Sequence, residues 1–203
     1  MIPLGVLASS VAAVVGGEWI GESQTVPAGA GAIVLRLHTS QSPYPSWMTV
    51  GGSAATLLGT AGSYVSGDTV TRLVSAWWCP NPGPGGTLAA NVPTTNTSER
   101  HHWTLYARGL HPGEVKTSSN DNTTAITQHA PTLDPGGLML SCYSVRPSGL
   151  AVAGHASIDS GAVNGGTFGL SVRAAWTVGD RQPTQWTGYK NHSLLSVALN
   201  PGA

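Results

Sequence analysis

The sequence predicts an all-β protein: a single antiparallel β-sandwich, jelly-roll-like, with an N-terminal arm. Three observations predict it. Apolar residues alternate with polar or small ones over short runs, turn-rich breaks separate the runs, and 27 glycines and 14 prolines in 203 residues leave little room for long helices. A chain of 20.7 kDa is one ordinary domain, divided here into an arm over residues 1–20 and a sandwich over 21–203.

The arm comes first. Ile2 to Gly17 carries no charge and has the look of a signal-peptide core. It lacks the basic flank of such a signal, and Pro, Ser and Gly dilute it below the roughly 20 apolar residues of a membrane span. The expectation is that Ile2, Leu4, Val6, Leu7, Val11, Val14 and Val15 dock on a neighbouring subunit or partner. The alternative is an edge strand of the chain's own sheet.

From Gly21 the period is two. Ile33, Leu35 and Leu37 alternate with Val34, Arg36 and His38; Trp103, Leu105 and Ala107 alternate with His102, Thr104, Tyr106 and Arg108. Leu150, Val152, Ala156 and Ile158 follow, then Phe168, Leu170, Val172, Ala174, Trp176 and Val178, then Leu195, Val197 and Leu199. Each run reads as a strand with one buried and one solvated face. Breaks fall at Gln41–Ser46, Asn81–Gly86, Asn91–Ser98, His111–Asn122, Asp134–Gly137, Ser160–Gly166 and Gly179–Asn191. That spacing gives about eight to ten short strands, as in a sandwich or barrel. No internal repeat is visible.

Nine basic and nine acidic residues cancel, and only 9% of the chain is charged, against about 25% in an ordinary soluble domain. Nucleic acid and membrane are therefore not expected as partners, because too few cations are present to hold phosphates or anionic lipid. A neutral surface suits a chain that works inside an assembly. Cys79 and Cys142 form no CxxC pair and sit in apolar stretches, so they read as buried free thiols rather than a disulfide.

No catalytic signature emerges. There is no G-x-S-x-G elbow, H-E-x-x-H, Walker loop or EF-hand loop. Gly29-Ala30-Gly31 starts a dinucleotide-like pattern without its third glycine and reads as a turn. His101 and His102, beside Glu99 and Arg100, point to opposite faces of a strand, which prevents their sharing a metal; a solvated strand start is the simpler reading. His155 and Asp159 share a strand face but stand about 13 Å apart along it, too far for a triad. The nine carboxylates are spread, without a visible glycosidase pair. The chain is accordingly expected to be non-enzymatic, with no cofactor and no metal.

The aromatic residues divide in two. Trp77, Trp103 and Trp176 lie on apolar faces and belong to the core. Tyr44 and Trp47 lie in one Pro-flanked loop, and Trp186 and Tyr189 in another. Aromatics held on loops serve as interface contacts or as flat platforms for sugar rings, so these four are the candidate interface or glycan contacts. The sequons at Asn96, Asn122 and Asn191 matter only where a host glycosylates.

Several segments in order carry a resemblance. A polar and an apolar strand, Glu22–Val26 and Ala32–His38, precede the strand and turn Met48-Thr49-Val50-Gly51-Gly52-Ser53-Ala54-Ala55-Thr56-Leu57. An aromatic strand then enters a Pro-rich turn, Ala76-Trp77-Trp78-Cys79-Pro80-Asn81-Pro82-Gly83. Leu105-Tyr106-Ala107-Arg108-Gly109, Pro135-Gly136-Gly137-Leu138-Met139-Leu140 and the closing Ser196-Val197-Ala198-Leu199-Asn200-Pro201 complete the series, after the opening Pro3-Leu4-Gly5-Val6-Leu7-Ala8-Ser9-Ser10. Across most of residues 1–203 this order resembles the β-sandwich structural proteins of tailed-bacteriophage virions. The resemblance implies a capsid decoration, head-fibre or tail-associated protein located in the virion. Its implied partners are other virion proteins and further copies of itself, as a homo-oligomer. The alternative is a carbohydrate-binding module of an adsorption apparatus, with host surface glycan as its ligand.

Overall fold

A computed structural model describes residues 5–14, 17–20, 25–39, 45–64, 71–92, 98–120, 125–145, 151–153, 156–163, 166–174, 184–188 and 192–202. Seventeen strands and no helix occur among them, numbered here in chain order. That is more strands than the alternating runs suggested, because several short ones carry no alternation to read. Every pairing is antiparallel.

The first main sheet contains β1 (Gly5–Val14), β3 (Ala30–Thr39), β6 (Thr56–Tyr64), β7 (Thr71–Cys79) and β9 (Ser98–Arg108), in the spatial order β1-β9-β3-β7-β6. The second contains β10 (Leu110–Asn120), β12 (Leu138–Val145), β14 (Ala156–Val163), β15 (Gly166–Ala174) and β17 (His192–Pro201), ordered β10-β17-β12-β15-β14. The first main sheet is thus drawn wholly from strands before Gly109 and the second wholly from strands after it. Two small sheets complete the fold: β2 (Gly17–Ile20), β4 (Met48–Val50), β5 (Ser53–Ala54) and β8 (Leu88–Val92), ordered β2-β8-β4-β5; and β11 (Ala125–His129), β13 (Ala151–Ala153) and β16 (Thr184–Gly188), ordered β11-β16-β13.

Packing follows from the period of two. Odd-numbered residues of β3 and β9, Ile33, Leu35, Leu37, Trp103 and Leu105, face Leu140, Val197 and their neighbours on the second sheet, and all are buried. Sealing apolar side chains between two sheets is what stabilises a sandwich, at roughly 25 cal/mol for each Å² of apolar surface removed from water. Trp78 reaches across the layer to His111 on β10, ring edge to ring face at 6.4 Å. Trp77 and Trp103 are core residues, as their faces predicted; Trp176 lies outside the described residues.

The opposite face of the first sheet differs from expectation. Instead of meeting solvent, Val34, Trp77 and Tyr106 form a second core with Met48, Val50 and Leu88 of a small sheet. Arg36 and His102, opposite one another in register, are buried on the same face. His102 is therefore not part of a solvated strand start. The two cysteines are free and buried, Cys79 in this second core and Cys142 between the main sheets.

Three expected breaks contain strand instead. His111–Asn122 was expected to be a loop because of Pro112, Gly113 and its Ser/Asn tail, yet β10 runs through it. It is an edge strand, where a missing N–H is tolerated, and it absorbs the proline in a register shift between Pro112 and Val115. β14 continues through Ser160 to Val163, and β16 lies within Gly179–Asn191. The breaks at Asn81–Gly86 and Asp134–Gly137 are turns, with positive φ at Gly85, Gly86 and Gly136.

The first twenty residues contribute β1 and β2. β1 pairs with β9 along Gly5↔Tyr106 to Val14↔Ser98, and β2 pairs with β8. This is an edge position in the chain's own sheet, the second of the two placements expected for it. The far edge of β1 pairs with no described strand.

Candidate functional site

Three places on the described residues combine position with chemistry. The first is the edge formed by β1. Its sequence, Gly5-Val6-Leu7-Ala8-Ser9-Ser10-Val11-Ala12-Ala13-Val14, has no charged residue and no proline. Solitary edge strands are normally guarded by one or the other, because a bare row of N–H and C=O groups templates another strand. Val6, Leu7, Val11 and Val14 belong to this strand; Ile2, Leu4 and Val15 lie outside the described residues.

The second is the corner at Trp47. Pro45 and Met48 are buried while Trp47 between them is 40% exposed. Thr49 opposes Ala54, and Ala55 N–H donates to Met48 O at 2.9 Å. Continuing that register sets Trp47 opposite Thr56, beside Leu57, the other large apolar side chain exposed among the described residues. The other aromatic candidates do not join it. Trp186 is on β16, a strand rather than a loop, opposite Thr127 and Val152, and Tyr44 and Tyr189 lie outside the described residues. At the far end of β4, Pro27, Pro80, Asn81, Pro82 and Pro84 line an open cleft of about 300 Å³. No titratable side chain lines it, and prolines supply no N–H, so it offers shape rather than proton chemistry.

The third is a buried cluster on the outer face of the second sheet. His129 closes β11, with Nδ1 2.8 Å from Ser196 Oγ on β17 and Nε2 3.2 Å from Ser118 Oγ on β10. Ser141 Oγ on β12 is 2.9 Å from Ser196 Oγ. Sequence reading missed this site. Its hydrogen-bonded pairs are 11 to 67 residues apart and no spacing rule joins them; the one available signal was serine on the same parity of β12 and β17 as Met139 and Ala198.

A serine 2.8 Å from an imidazole invites comparison with a hydrolytic pair. The geometry argues against it. Ser141 and Ser196 are fully buried, and the second ring nitrogen meets a serine rather than an orienting carboxylate. Burial, reinforced by the charges of Lys116 and His192, lowers the His129 pKa to about 4, so the ring is neutral at pH 7. The cluster is a polar joint with its hydrogen bonds made, binding three strands of the second sheet to β11.

Of the pair already set aside as too far apart for a triad, Asp159 is on β14 and His155 lies outside the described residues. No group of three His, Cys, Asp or Glu side chains suited to a metal occurs among the described residues. Among the described residues, no helix is long and apolar enough to cross a membrane. Comparison with family models, curated proteins and solved structures finds no match.

Proposed function

We propose that this chain is a non-enzymatic structural subunit of a bacteriophage virion, a capsid decoration or tail-associated component. It joins neighbouring copies through the β1 edge and an adjoining sandwich face. The observation that carries the reading is the uncharged, proline-free edge strand β1, paired only on its β9 side among the described strands. A neighbouring strand added there gains main-chain hydrogen bonds over ten residues, and the near absence of net charge removes long-range repulsion between copies. The resemblance of the ordered strand-and-turn segments to phage β-sandwich proteins supplies the virion setting.

The test is native mass by sedimentation, for the full chain beside Ala8→Lys. A lysine on β1 introduces the charge that guarded edges carry and leaves the β9 pairing in place. The expected result is a discrete oligomer that dissociates in the variant while its circular dichroism is retained. A monomer at every concentration, or an oligomer indifferent to Ala8→Lys, overturns edge association.

Trp47 favours a second reading, a glycan-binding module. An exposed indole between the buried Pro45 and Met48 is a stacking platform. Saturable binding of a host glycan that is lost in Trp47→Ala, by a protein that stays monomeric, would move the assignment there.

A further inference from the structure

The edges of the two main sheets differ in composition. Those of the second are guarded: β10 carries Pro112, Glu114 and Lys116, and β14 carries Asp159, the residue types that discourage a further strand from pairing. Those of the first are not. β6, at the opposite edge from β1, reads Thr56-Leu57-Leu58-Gly59-Thr60-Ala61-Gly62-Ser63-Tyr64, with neither a charge nor a proline, and among the described strands it pairs with β7 alone. The exposed apolar corner lies at its start, where Leu57 is 38% and Trp47 40% exposed. We propose that the β6 edge, with Trp47 and Leu57 at its end, is a second self-association surface, at which two copies of this chain pair β6 to β6 about a two-fold axis.

Strand direction decides what pairs. A bulge at Leu58 interrupts β6 near its start, and Gly59–Tyr64 then continue in unbroken register with Ala76–Thr71 of β7, leaving a regular run for another strand to add to. Every step across β1-β9-β3-β7-β6 is antiparallel, so in this odd-numbered sheet β1 and β6 run the same way. A copy added head to tail in the same orientation would set β1 against β6 as parallel neighbours. A copy turned about an axis perpendicular to the sheet sets β6 against β6 as antiparallel neighbours, the stronger pairing per residue and the one used throughout this fold. Such an axis brings a strand against itself, so any charge on it meets its own like. β6 has none, and the zero net charge of the chain adds no long-range repulsion.

The corner supplies apolar area that main-chain hydrogen bonds lack. Leu57 is opposite Trp77 in register, and Ala54 and Thr56 beside it are exposed as well. Covering Trp47 and Leu57 removes from water the large apolar side chains that the isolated chain leaves wet, and an aromatic anchor of this kind is enriched in protein interfaces. The β6 surface stands on its own residues; only the number of copies rests on the association proposed above at β1. Two different two-fold interfaces on one chain build even-numbered assemblies, a tetramer or larger.

Sedimentation of the full chain, Ala8→Lys, Leu57→Lys and the double variant tests the surface. Lysine at the exposed Leu57 places like charge on both sides of the axis without entering the core. The full chain is expected to be an even-numbered oligomer, Ala8→Lys a dimer held by β6, Leu57→Lys a dimer held by β1, and the double variant a monomer. If association at β1 fails instead, the full chain and Ala8→Lys are the same dimer and Leu57→Lys is a monomer, which leaves the β6 surface standing. Because a substitution could act by disturbing the fold, hydrogen exchange of Ala8→Lys above and below its dissociation concentration is the second measurement. Amides of Gly59–Tyr64 should gain protection on association while those of β3 stay unchanged. A monomeric Ala8→Lys protein, a dimer whose mass ignores Leu57→Lys, or no gain of protection over Gly59–Tyr64 would each overturn the proposal. Glycan binding by that monomer, lost in Trp47→Ala, would assign the corner to sugar instead.

Discussion

Gly51 and Gly83 meet backbone to backbone, and neither position has room for a side chain. Gly83 N–H donates to Val50 O at 3.1 Å, and a Cβ on either glycine would fall inside contact distance of the other's carbonyl oxygen. This contact fastens the Pro80–Pro84 loop to the β4–β5 turn and so fixes the position of the small sheet against the first main sheet. Gly51 also has a φ of +59°, which glycine adopts without strain.

Gly83→Ala is accordingly expected to destabilise the fold by about 2–3 kcal/mol, the cost of overpacking against backbone that cannot yield. Gly29→Ala provides the contrast. Its φ is +69° but nothing lies within 4 Å of the added carbon, so only the conformational cost of about 1 kcal/mol applies. Urea unfolding midpoints of the two variants should fall in that order.

Trp103→Ala should cost about 3–5 kcal/mol, because the indole is 1% exposed at the centre of the layer between the main sheets and its removal leaves a cavity. Trp47→Ala, at an exposed corner, should change stability by less than about 0.5 kcal/mol. Thermal unfolding of both variants separates the core tryptophan from the surface one.

Cys79 and Cys142 should resist thiol reagents in the native state at pH 8 and react once the chain is unfolded. Burial pushes both thiols above their ordinary range, and for Cys79 the hydrogen bonds from the backbone offset only part of that effect. Sγ of Cys79 also donates to Ser53 O at 3.6 Å. Counting modified thiols with and without denaturant checks this; one reactive native thiol would mean that its core opens readily.

The core between the main sheets was legible in the sequence because it is written in a period of two. Ile33, Leu35, Leu37, Trp103 and Leu105 could be assigned to one face by parity alone. The second core was not legible as such. Val34, Trp77 and Tyr106 occupy the opposite face, and Arg36 and His102 among them give that face a solvated pattern although a short sheet covers it. β10 was hidden for another reason: Pro112 and Gly113 are turn residues anywhere except at an edge or bulge, and edge position is a tertiary fact. The His129 joint lay beyond reach because its three serines come from three different strands. The exposure of Trp47 was legible in its Pro-flanked setting, whereas Trp186, from a segment equally rich in turn residues, belongs to a strand.

The division of the chain between the sheets sets an order of events during synthesis. All five strands of the first main sheet lie before Gly109, and all five of the second lie after it. The first sheet can therefore zip together, β1 onto β9 included, as soon as Arg108 has left the ribosome. It then waits with Ile33, Leu35 and Trp103 uncovered, because the residues that cover them arrive from Leu140 and Val197. At translation rates of about 5–20 residues per second, that wait lasts roughly 5 to 20 seconds. A nascent sheet with a sticky face is a substrate for chaperones, and a pause in translation after residue 108 would lengthen its exposure.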